Sequence, residues 1–411
     1  MTHTELGAIV SRAVRETPIT DIHTHLYDPA LGGLLLWGID EALTYHYLVA
    51  ETMRWSPIPA ASWNTMPREE RADHVWRTLF LEHSPVSEST RGLLETLQQL
   101  GLDVSSRDLA AWRRWFDEQT TEGFVDRVLE IANVRDVVMT NDPFDAQERS
   151  YWMEGFTRDP RFHAALRLDG LLNQWPHAAP QLAAWGYAVQ PDFSGETAAE
   201  VRRFLNDWIE RLDALYMAVS LPPSFVLPED SPRGRLFAEC VFPVAAQRRI
   251  PMALMIGVKK LTNPDLGLAG DSVGHANIDV LEWICRDYPD VKLLVTMLSR
   301  ENQHELCVCA RKFSNLHVFG CWWFLNSGLL VSEITRMRLE WLGLSMTPQH
   351  SDARVLDQVI YKWRRSLKAI TEQLTLAYQD LADTGWQPSE AEIRRDVAGL
   401  LGGQFWDFVK R

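Results

Sequence analysis

Eight short β-like runs alternate with helical segments along this chain, and that alternation limits its fold more than any other feature. The runs are apolar or rich in β-branched residues, and most are followed by a stretch with apolar residues at helical spacing. They lie at Ile19–Leu26, Asp136–Thr140, Phe162–Leu168, Tyr216–Leu221, Pro251–Ile256, Lys292–Thr296, Leu316–Phe319 and Leu344–Thr347. Strands and helices in this alternation predict an α/β fold, a (β/α)8 barrel with a closed parallel sheet.

Two long segments fall outside the alternation. Residues from about 56 to 133 show no strand pattern and are predicted to form a helical insertion after the first strand. No Pro/Ser-rich linker separates this segment, so we expect residues 1–411 to form a single domain. Residues from about 356 onward are predicted to be extra helices that pack on the barrel. Asp40–Met53 is predicted to be one helix with Asp40 as its N-cap.

Composition excludes several classes of partner. The formal net charge is −14, which argues against nucleic acid and against an anionic membrane surface. No apolar run reaches the roughly 18 residues of a membrane span, and the first 20 residues lack the apolar middle of a signal peptide. We therefore expect a cytoplasmic protein. The 5 cysteines include no Cys-x-x-Cys pair and are predicted to be reduced, mostly buried thiols.

Histidines two apart end the first predicted strand. His23 and His25 project to the same side of a strand, and imidazole is the commonest protein ligand for a catalytic metal. Two structural histidines would give the same pattern. Asp352 follows the last run and could supply a third ligand across a closed barrel, while Arg354 could face an anionic substrate. Asp-x-Arg could equally be a surface pair.

Two further features can be interpreted either as functional or as structural. Arg167 ends the third run, where a catalytic group or a structural ion-pair partner would lie. The sequence Tyr45-His46-Tyr47 lies on the helix after the first strand. It is either part of a site or an aromatic helix face in the core.

These pieces together resemble the uronate (glucuronate) isomerases of the amidohydrolase superfamily. The resemblance covers about residues 18 to 370. The matching motifs are Asp21–His25, Leu43–Leu48, Phe80–Pro85, Ser87–Gly92, Thr140–Pro143, Arg167, Trp322–Phe324 and Ser351–Arg354. Their order and family-like spacing make the combination specific, although no single motif would be.

The resemblance implies a metal-dependent enzyme that acts on a small sugar acid. His23, His25 and Asp352 would hold one divalent metal ion, for which zinc is favoured and manganese, iron and cobalt also suit the ligand types. His46, Arg167 and Arg354 would bind the substrate. An acidic chain repels an acidic substrate, and these arginines would offset that repulsion by pairing with the substrate's carboxylate. We expect a homo-oligomer.

The implied reaction interconverts an aldose uronic acid and its ketose by proton transfer between C2 and C1. D-Glucuronate with D-fructuronate, and D-galacturonate with D-tagaturonate, are the expected pairs. Tyr47 and Asp352 are the candidate proton-transfer groups, and the metal would act as a Lewis acid.

The chain departs from the family at identifiable positions. Met255 stands where the family has a histidine, and a thioether is a poor ligand for a hard divalent ion. Lys259 and Lys260 stand where an arginine is usual. The family's Thr-Asp-Ser-Arg-Ser-Phe is replaced by His350-Ser-Asp-Ala-Arg-Val355, which keeps the central Asp-x-Arg and changes its neighbours. Two alternatives are open. A lactonase-like hydrolase would need further ligands from the middle strands, and a non-catalytic sugar-acid binder need not hold stoichiometric metal.

Overall fold

Parallel strands form one curled sheet in the computed structural model, which describes residues 2–410. The strands are β1 (Ile19–Thr24), β2 (Val134–Asn141), β3 (Phe162–Arg167), β4 (Met217–Leu221), β5 (Met252–Ile256), β6 (Val258–Lys259), β7 (Ser272–Val273), β8 (Leu293–Met297) and β9 (Leu316–Val318). Seven of them pair in the order β1-β2-β3-β4-β5-β8-β9, whereas β6 and β7 form a small antiparallel hairpin. The predicted α/β barrel architecture is confirmed.

The eighth side of the barrel is closed without a regular strand. The expected strand at Leu344–Thr347 is wrong: only Thr347 pairs, in a single parallel bridge with Phe319. Pro348 follows immediately, and its missing N–H cannot continue a ladder. Backbone hydrogen bonds between the loop around Asp352 and β1 close the barrel: the amide of Asp352 donates to the His23 carbonyl at 3.2 Å. The loop that carries the last predicted site residues is therefore joined directly to the first strand.

Helices surround the sheet and account for most of the remaining chain. They are α1 (His3–Glu16), α2 (Ile39–Leu43), α3 (His46–Trp55), α4 (Ala60–Thr65), α5 (Arg68–Trp76), α6 (Glu88–Gln99), α7 (Leu109–Asp117), α8 (Thr121–Ala132), α9 (Ala146–Glu154), α10 (Asp169–Asn173), α11 (Trp175–Ala184), α12 (Thr197–Leu212), α13 (Pro232–Leu236), α14 (Phe242–Arg248), α15 (Asp279–Asp287), α16 (Gln303–Ala310), α17 (Gly328–Leu342), α18 (Gln358–Asp383), α19 (Glu390–Ala398) and α20 (Gln404–Lys410). Helices α4 to α8 occupy the stretch between β1 and β2 in which the sequence shows no strand pattern. The division of the chain into one domain stays a prediction.

The single helix expected over Asp40–Met53 is in fact two helices. Helix α2 begins after Gly38 and ends at Leu43, so Asp40 lies within its first turn and is not its N-cap. The carboxylate of Asp40 instead accepts hydrogen bonds from Arg113. Tyr45 has an extended backbone (φ −64°, ψ 140°), and α3 begins at the next residue. This break turns the chain so that His46 lies at the start of a new helix.

The C-terminal helices close the end of the barrel opposite the strands' C-terminal ends. Phe405 and Phe408 pack in the interior of the barrel with Ile22 and Val138. The ammonium of Lys292, at the N-terminal end of β8, donates to carbonyl groups at the end of α20. With this end filled by apolar side chains, a ligand can enter only at the other end.

All five cysteines are buried free thiols, as the sequence predicts. Over residues 2–410, no helix combines the length and the apolar character that crossing a membrane requires.

Candidate active site

A cavity lies at the C-terminal ends of the strands. Eleven residues line it: His25, Tyr45, His46, Arg167, Ser220, Lys260, Leu268, Trp322, Trp323, Asp352 and Arg354. Five of the seven residues predicted for the site are in this set. The other two are His23, which is fully buried beside His25, and Tyr47, which is not part of the lining. Three larger grooves lie elsewhere, and none of them contains any of the seven.

Three predicted ligands come together beside this cavity. The ligand atoms of His23, His25 and Asp352 lie within 4.8 Å of one another. Oδ1 of Asp352 is 3.4 Å from Nε2 of His25 and 3.9 Å from Nε2 of His23. Ligand atoms roughly 2.0–2.2 Å from a tetrahedral divalent metal are roughly 3.4 Å apart. Among the described residues, buried His23 Nε2 and Asp352 Oδ1 have no hydrogen-bond partner, and a cation between them would satisfy both.

Two hydroxyl groups fix the tautomers of the candidate ligands. The Tyr216 hydroxyl donates to a β1 carbonyl at 2.8 Å, so it accepts from Nδ1–H of His23 at 3.1 Å. The Thr140 hydroxyl likewise donates to a β1 carbonyl at 2.8 Å and accepts from Nδ1–H of His25 at 3.1 Å. Each imidazole therefore keeps its lone pair on Nε2, the atom that lies near Asp352.

We expect Tyr216→Phe to lower the affinity for a divalent metal roughly tenfold. The substitution removes the hydroxyl that accepts from Nδ1–H of His23 and leaves that donor buried without a partner. Competition with a chromophoric chelator measures the change. Tyr187→Phe is the matched control, because the hydroxyl of Tyr187 binds Asp207 outside the site. Equal metal affinity in the two variants would contradict the role of Tyr216.

Burial keeps the two histidines neutral. It lowers the pKa of His23 to about 3, and the neighbouring imidazole of His25 adds to the effect. Burial also lowers the pKa of His25 well below its usual range, with a further contribution from the positive charge of Arg354. Neutral imidazole is the form that binds a metal. At neutral pH neither ring has to lose a proton before it can act as a ligand.

Positive side chains occupy the cavity wall beside the ligand cluster. The guanidinium of Arg167 donates to both carboxylate oxygens of Asp169, at 3.0 and 3.2 Å, and this charge holds the pKa of Arg167 above its usual range. The guanidinium of Arg354 makes no hydrogen bond or ion pair within residues 2–410. The ammonium of Lys260 is 2.7 Å from Asp271. An anionic ligand therefore finds one unpaired guanidinium and two further positive groups.

The Tyr45-His46-Tyr47 motif divides between the cavity and the protein interior. Tyr45 and His46 line the cavity, and the ring of Tyr47 packs on both, with centroid distances of 4.9 and 4.6 Å. The Tyr47 hydroxyl is buried, with no hydrogen-bond partner in the described part of the chain. Burial raises the pKa of Tyr47 well above its usual value and lowers that of His46 to about 3. Both groups are therefore neutral at neutral pH.

Met255 lies in the barrel interior and does not contribute to the site. It is buried on β5 in the apolar cluster inside the barrel, together with Ile22 and Tyr216. It belongs neither to the cavity lining nor to the cluster of candidate ligands. The methionine that replaces the family histidine therefore leaves three candidate ligands and no fourth from β5.

Sequence reasoning missed several residues at the site. Ser220 lies near the C-terminal end of β4, so the rule that functional groups cluster at strand ends could have identified it. Leu268 reaches the cavity from the loop between β6 and β7, which carries no comparable signal. Tyr216 and Thr140 reach the histidines only through the tertiary fold. Trp322 and Trp323, which the sequence analysis names only as part of a matching motif, are buried and also line the cavity.

Comparison with known proteins places these features in context. No family model and no curated protein matched the chain. Among solved structures, the uronate isomerase of Bacillus halodurans C-125 is 55% identical, with a TM-score of 0.98 over 100% of this chain and 97% of that one. The uronate isomerase of Thermotoga maritima is 15% identical (TM-score 0.77, 98% and 97% covered). The glucuronate isomerase of Caulobacter crescentus is 14% identical (TM-score 0.76, 99% and 94% covered). The last two similarities show a shared fold.

Proposed function

The chain belongs to the uronate isomerase family, and we propose that it interconverts a hexuronic acid and the corresponding ketose. The observation that carries this proposal is the pairing of two chemical features in one cavity. A cluster of His23, His25 and Asp352 that fits a divalent metal lies beside the unpaired guanidinium of Arg354. The first feature suits a carbonyl or hydroxyl end of a sugar, and the second suits a carboxylate.

The chemistry requires a base at C2 and stabilisation of negative charge on oxygen. A C–H next to a carbonyl is a weak acid, and its removal gives an enediolate. When bound, a divalent cation polarises the substrate oxygens as a Lewis acid, and we propose zinc, with manganese, iron or cobalt as other suitable ions. The rest of the reaction falls to the side chains of the cavity.

Asp352 is the candidate base. It is the one carboxylate among the eleven residues that line the cavity, and His46 is a poor base because burial lowers its pKa to about 3. We propose that Asp352 takes the proton from C2 and returns it to C1. Arg354 and Arg167 hold the carboxylate and hydroxyl groups of the substrate, so that C2 stays next to Asp352. His46 adds a polar contact from the first turn of α3.

Tyr47 is proposed to give its proton to the carbonyl oxygen at C1 as the enediolate forms, and to take a proton back from the oxygen at C2 as the ketose forms. Its hydroxyl lies outside the lining, but its ring contacts those of Tyr45 and His46, which do line the cavity. We expect Tyr47→Phe to lower kcat roughly 100-fold with a smaller change in KM. Tyr45→Phe serves as the comparison and should retain most of the activity. Loss of kcat in Tyr45→Phe alone would transfer the proposed role to Tyr45.

Proton exchange in D₂O tests the proposed reaction. Metal-loaded protein is incubated with D-glucuronate and with D-galacturonate, and NMR follows the ketose signals and the entry of deuterium at the exchanging carbon. We expect ketose to appear with at least one of the two acids. The proposed reaction is wrong if protein that holds one metal ion per chain forms no ketose and exchanges no proton with either of the two acids. Hydrolysis of a sugar lactone would then be the next reaction to assay.

A further inference from the structure

Asp352 has a backbone conformation that side-chain-bearing residues rarely adopt. Its φ is +52°, in the left-handed region. A side-chain-bearing residue is strained there, and the conformation persists only where the surroundings impose it. The conformation matters because Asp352 is both a candidate ligand and the candidate base. Some group outside the cavity must therefore impose it.

Helix α18 supplies the side chains that hold this loop. The side-chain oxygen of Gln358 accepts from the amides of Arg354 and Val355, at 3.2 and 3.3 Å. One turn further along α18, the ammonium of Lys362 donates to the carbonyl of Ser351 at 2.8 Å and to that of Asp352 at 3.3 Å. These bonds hold the peptide groups on both sides of the strained residue.

A second buried contact fixes the same loop from the side of β1. Oδ1 of Asp21 accepts from the amide of Ser351 at 2.9 Å, and its Oδ2 accepts from the indole N–H of Trp363 at 2.8 Å. Trp363 directly follows Lys362 on α18. The loop is thus held between the first strand, which carries the histidines, and the helix, which carries the lysine.

Lys362 is an unusual residue for a purely structural bond. Only 2% of it is exposed, and it makes no ion pair within residues 2–410. Burying an ammonium is unfavourable before any bond is made, and burial lowers the pKa of Lys362 accordingly. Its nitrogen lies 6.0 Å from the ring centroid of Tyr47, so it lies close to both candidate proton-transfer groups. An apolar residue would fill the same space at lower cost.

We propose that Lys362 is a positioning residue that holds the carbonyls of Ser351 and Asp352 and thereby keeps the Asp352 carboxylate directed at His23 and His25. The inference rests on the proposed metal centre. It assigns to Lys362 no contact with substrate or metal. Loss of the ammonium would free the peptide groups around Asp352 and let this residue relax toward negative φ, which turns the carboxylate away from the histidines.

Cobalt binding to Lys362→Met tests the proposal. Methionine matches the unbranched apolar stem of lysine up to Cε but removes the ammonium and its three N–H donors. Lys368→Met is the matched control, because Lys368 lies on the same helix with a side chain that is 77% exposed. The measurements are Co²⁺ affinity by chelator competition and the visible absorption spectrum of bound Co²⁺. We expect Lys362→Met to bind Co²⁺ at least tenfold more weakly with an altered spectrum, and Lys368→Met to match the wild type.

The outcomes separate this inference from the proposed function. Wild-type affinity and spectrum in folded Lys362→Met would overturn the positioning role and leave the metal centre intact, whereas a wild-type protein that binds no Co²⁺ would overturn both. A purely structural role would lower the melting temperature without changing the spectrum of the folded protein. If Lys362→Met does not fold, Lys362→Gln decides the question. Its neutral amide is less costly to bury, but its shorter stem cannot reach the carbonyls of both Ser351 and Asp352, so we expect weaker Co²⁺ binding. Unchanged Co²⁺ binding in this variant would contradict the proposal.

Discussion

Asp352→Asn is expected to abolish isomerisation, with a decrease in kcat of about four orders of magnitude. The amide cannot take a proton from C2, and it lacks the negative charge that a divalent metal prefers. Asparagine is the informative substitution because its shape is close to that of aspartate and it tolerates the left-handed φ of +52° at this position. The loss can therefore be attributed to the carboxylate and not to a changed backbone. Steady-state rates with D-glucuronate and metal content per chain are the two measurements.

Asp357→Asn provides the control for this experiment. Asp357 is a buried carboxylate five residues further along, which accepts from the amide of Gly38 at 2.9 Å and does not line the cavity. We expect this variant to lose some stability and to keep a kcat within a few-fold of the wild type. Near-wild-type turnover in Asp352→Asn would disprove the assignment of the base. Full metal content with no turnover would separate the base role from the ligand role.

The fold could be predicted from the sequence to the extent that local patterns determine it. Seven runs made mostly of apolar or β-branched residues became paired strands, because such runs suit a sheet that helices cover. The eighth, Leu344–Thr347, failed because Pro348 ends the pairing and because the closing bonds come from the loop around Asp352. A search for strand-like composition cannot find a side of the barrel that is closed by a loop.

The break before His46 shows a second limit of prediction from sequence patterns. The apolar spacing over Asp40–Met53 is helical throughout, and no glycine or proline interrupts it. The extended backbone of Tyr45 is therefore imposed by tertiary packing, and this break brings both Tyr45 and His46 to the cavity. Periodicity detects the two helices but not the turn between them.

Part of the candidate site could be predicted from the regular geometry of strands. Side chains two apart on a strand share a side, and parallel strands bring their C-terminal ends to one face, so His23, His25 and Arg167 could be placed from sequence. The groups that orient them could not. Tyr216 contacts His23, 193 positions away, and Lys362 contacts the carbonyls of residues 11 and 10 positions before it. Nothing in the local sequence marks those contacts.

The second large effect is expected from Arg354→Met, which should lower kcat/KM for D-glucuronate about 100-fold. Arg354 has the one guanidinium in the cavity without an ion-pair partner in the described chain, so its fork is free for a substrate carboxylate, whereas that of Arg167 is occupied by Asp169. A charged, bidentate hydrogen bond lost from the bound state costs about 1.5–3 kcal/mol, which corresponds to roughly 10- to 150-fold. Arg286→Met, on the exposed face of α15, should leave kcat/KM unchanged.

The nature of the lost contact can be tested by comparing an acid with its neutral analogue. D-Glucuronamide has the shape of D-glucuronate without the negative charge. If Arg354 binds the carboxylate, Arg354→Met should weaken binding of the acid far more than binding of the amide, and Arg354→Lys should restore part of the difference. Equal losses for the two ligands would show that Arg354 acts on a hydroxyl group or on the loop itself. The carboxylate would then have to be bound by Lys260 or Arg167, the other positive groups that line the cavity.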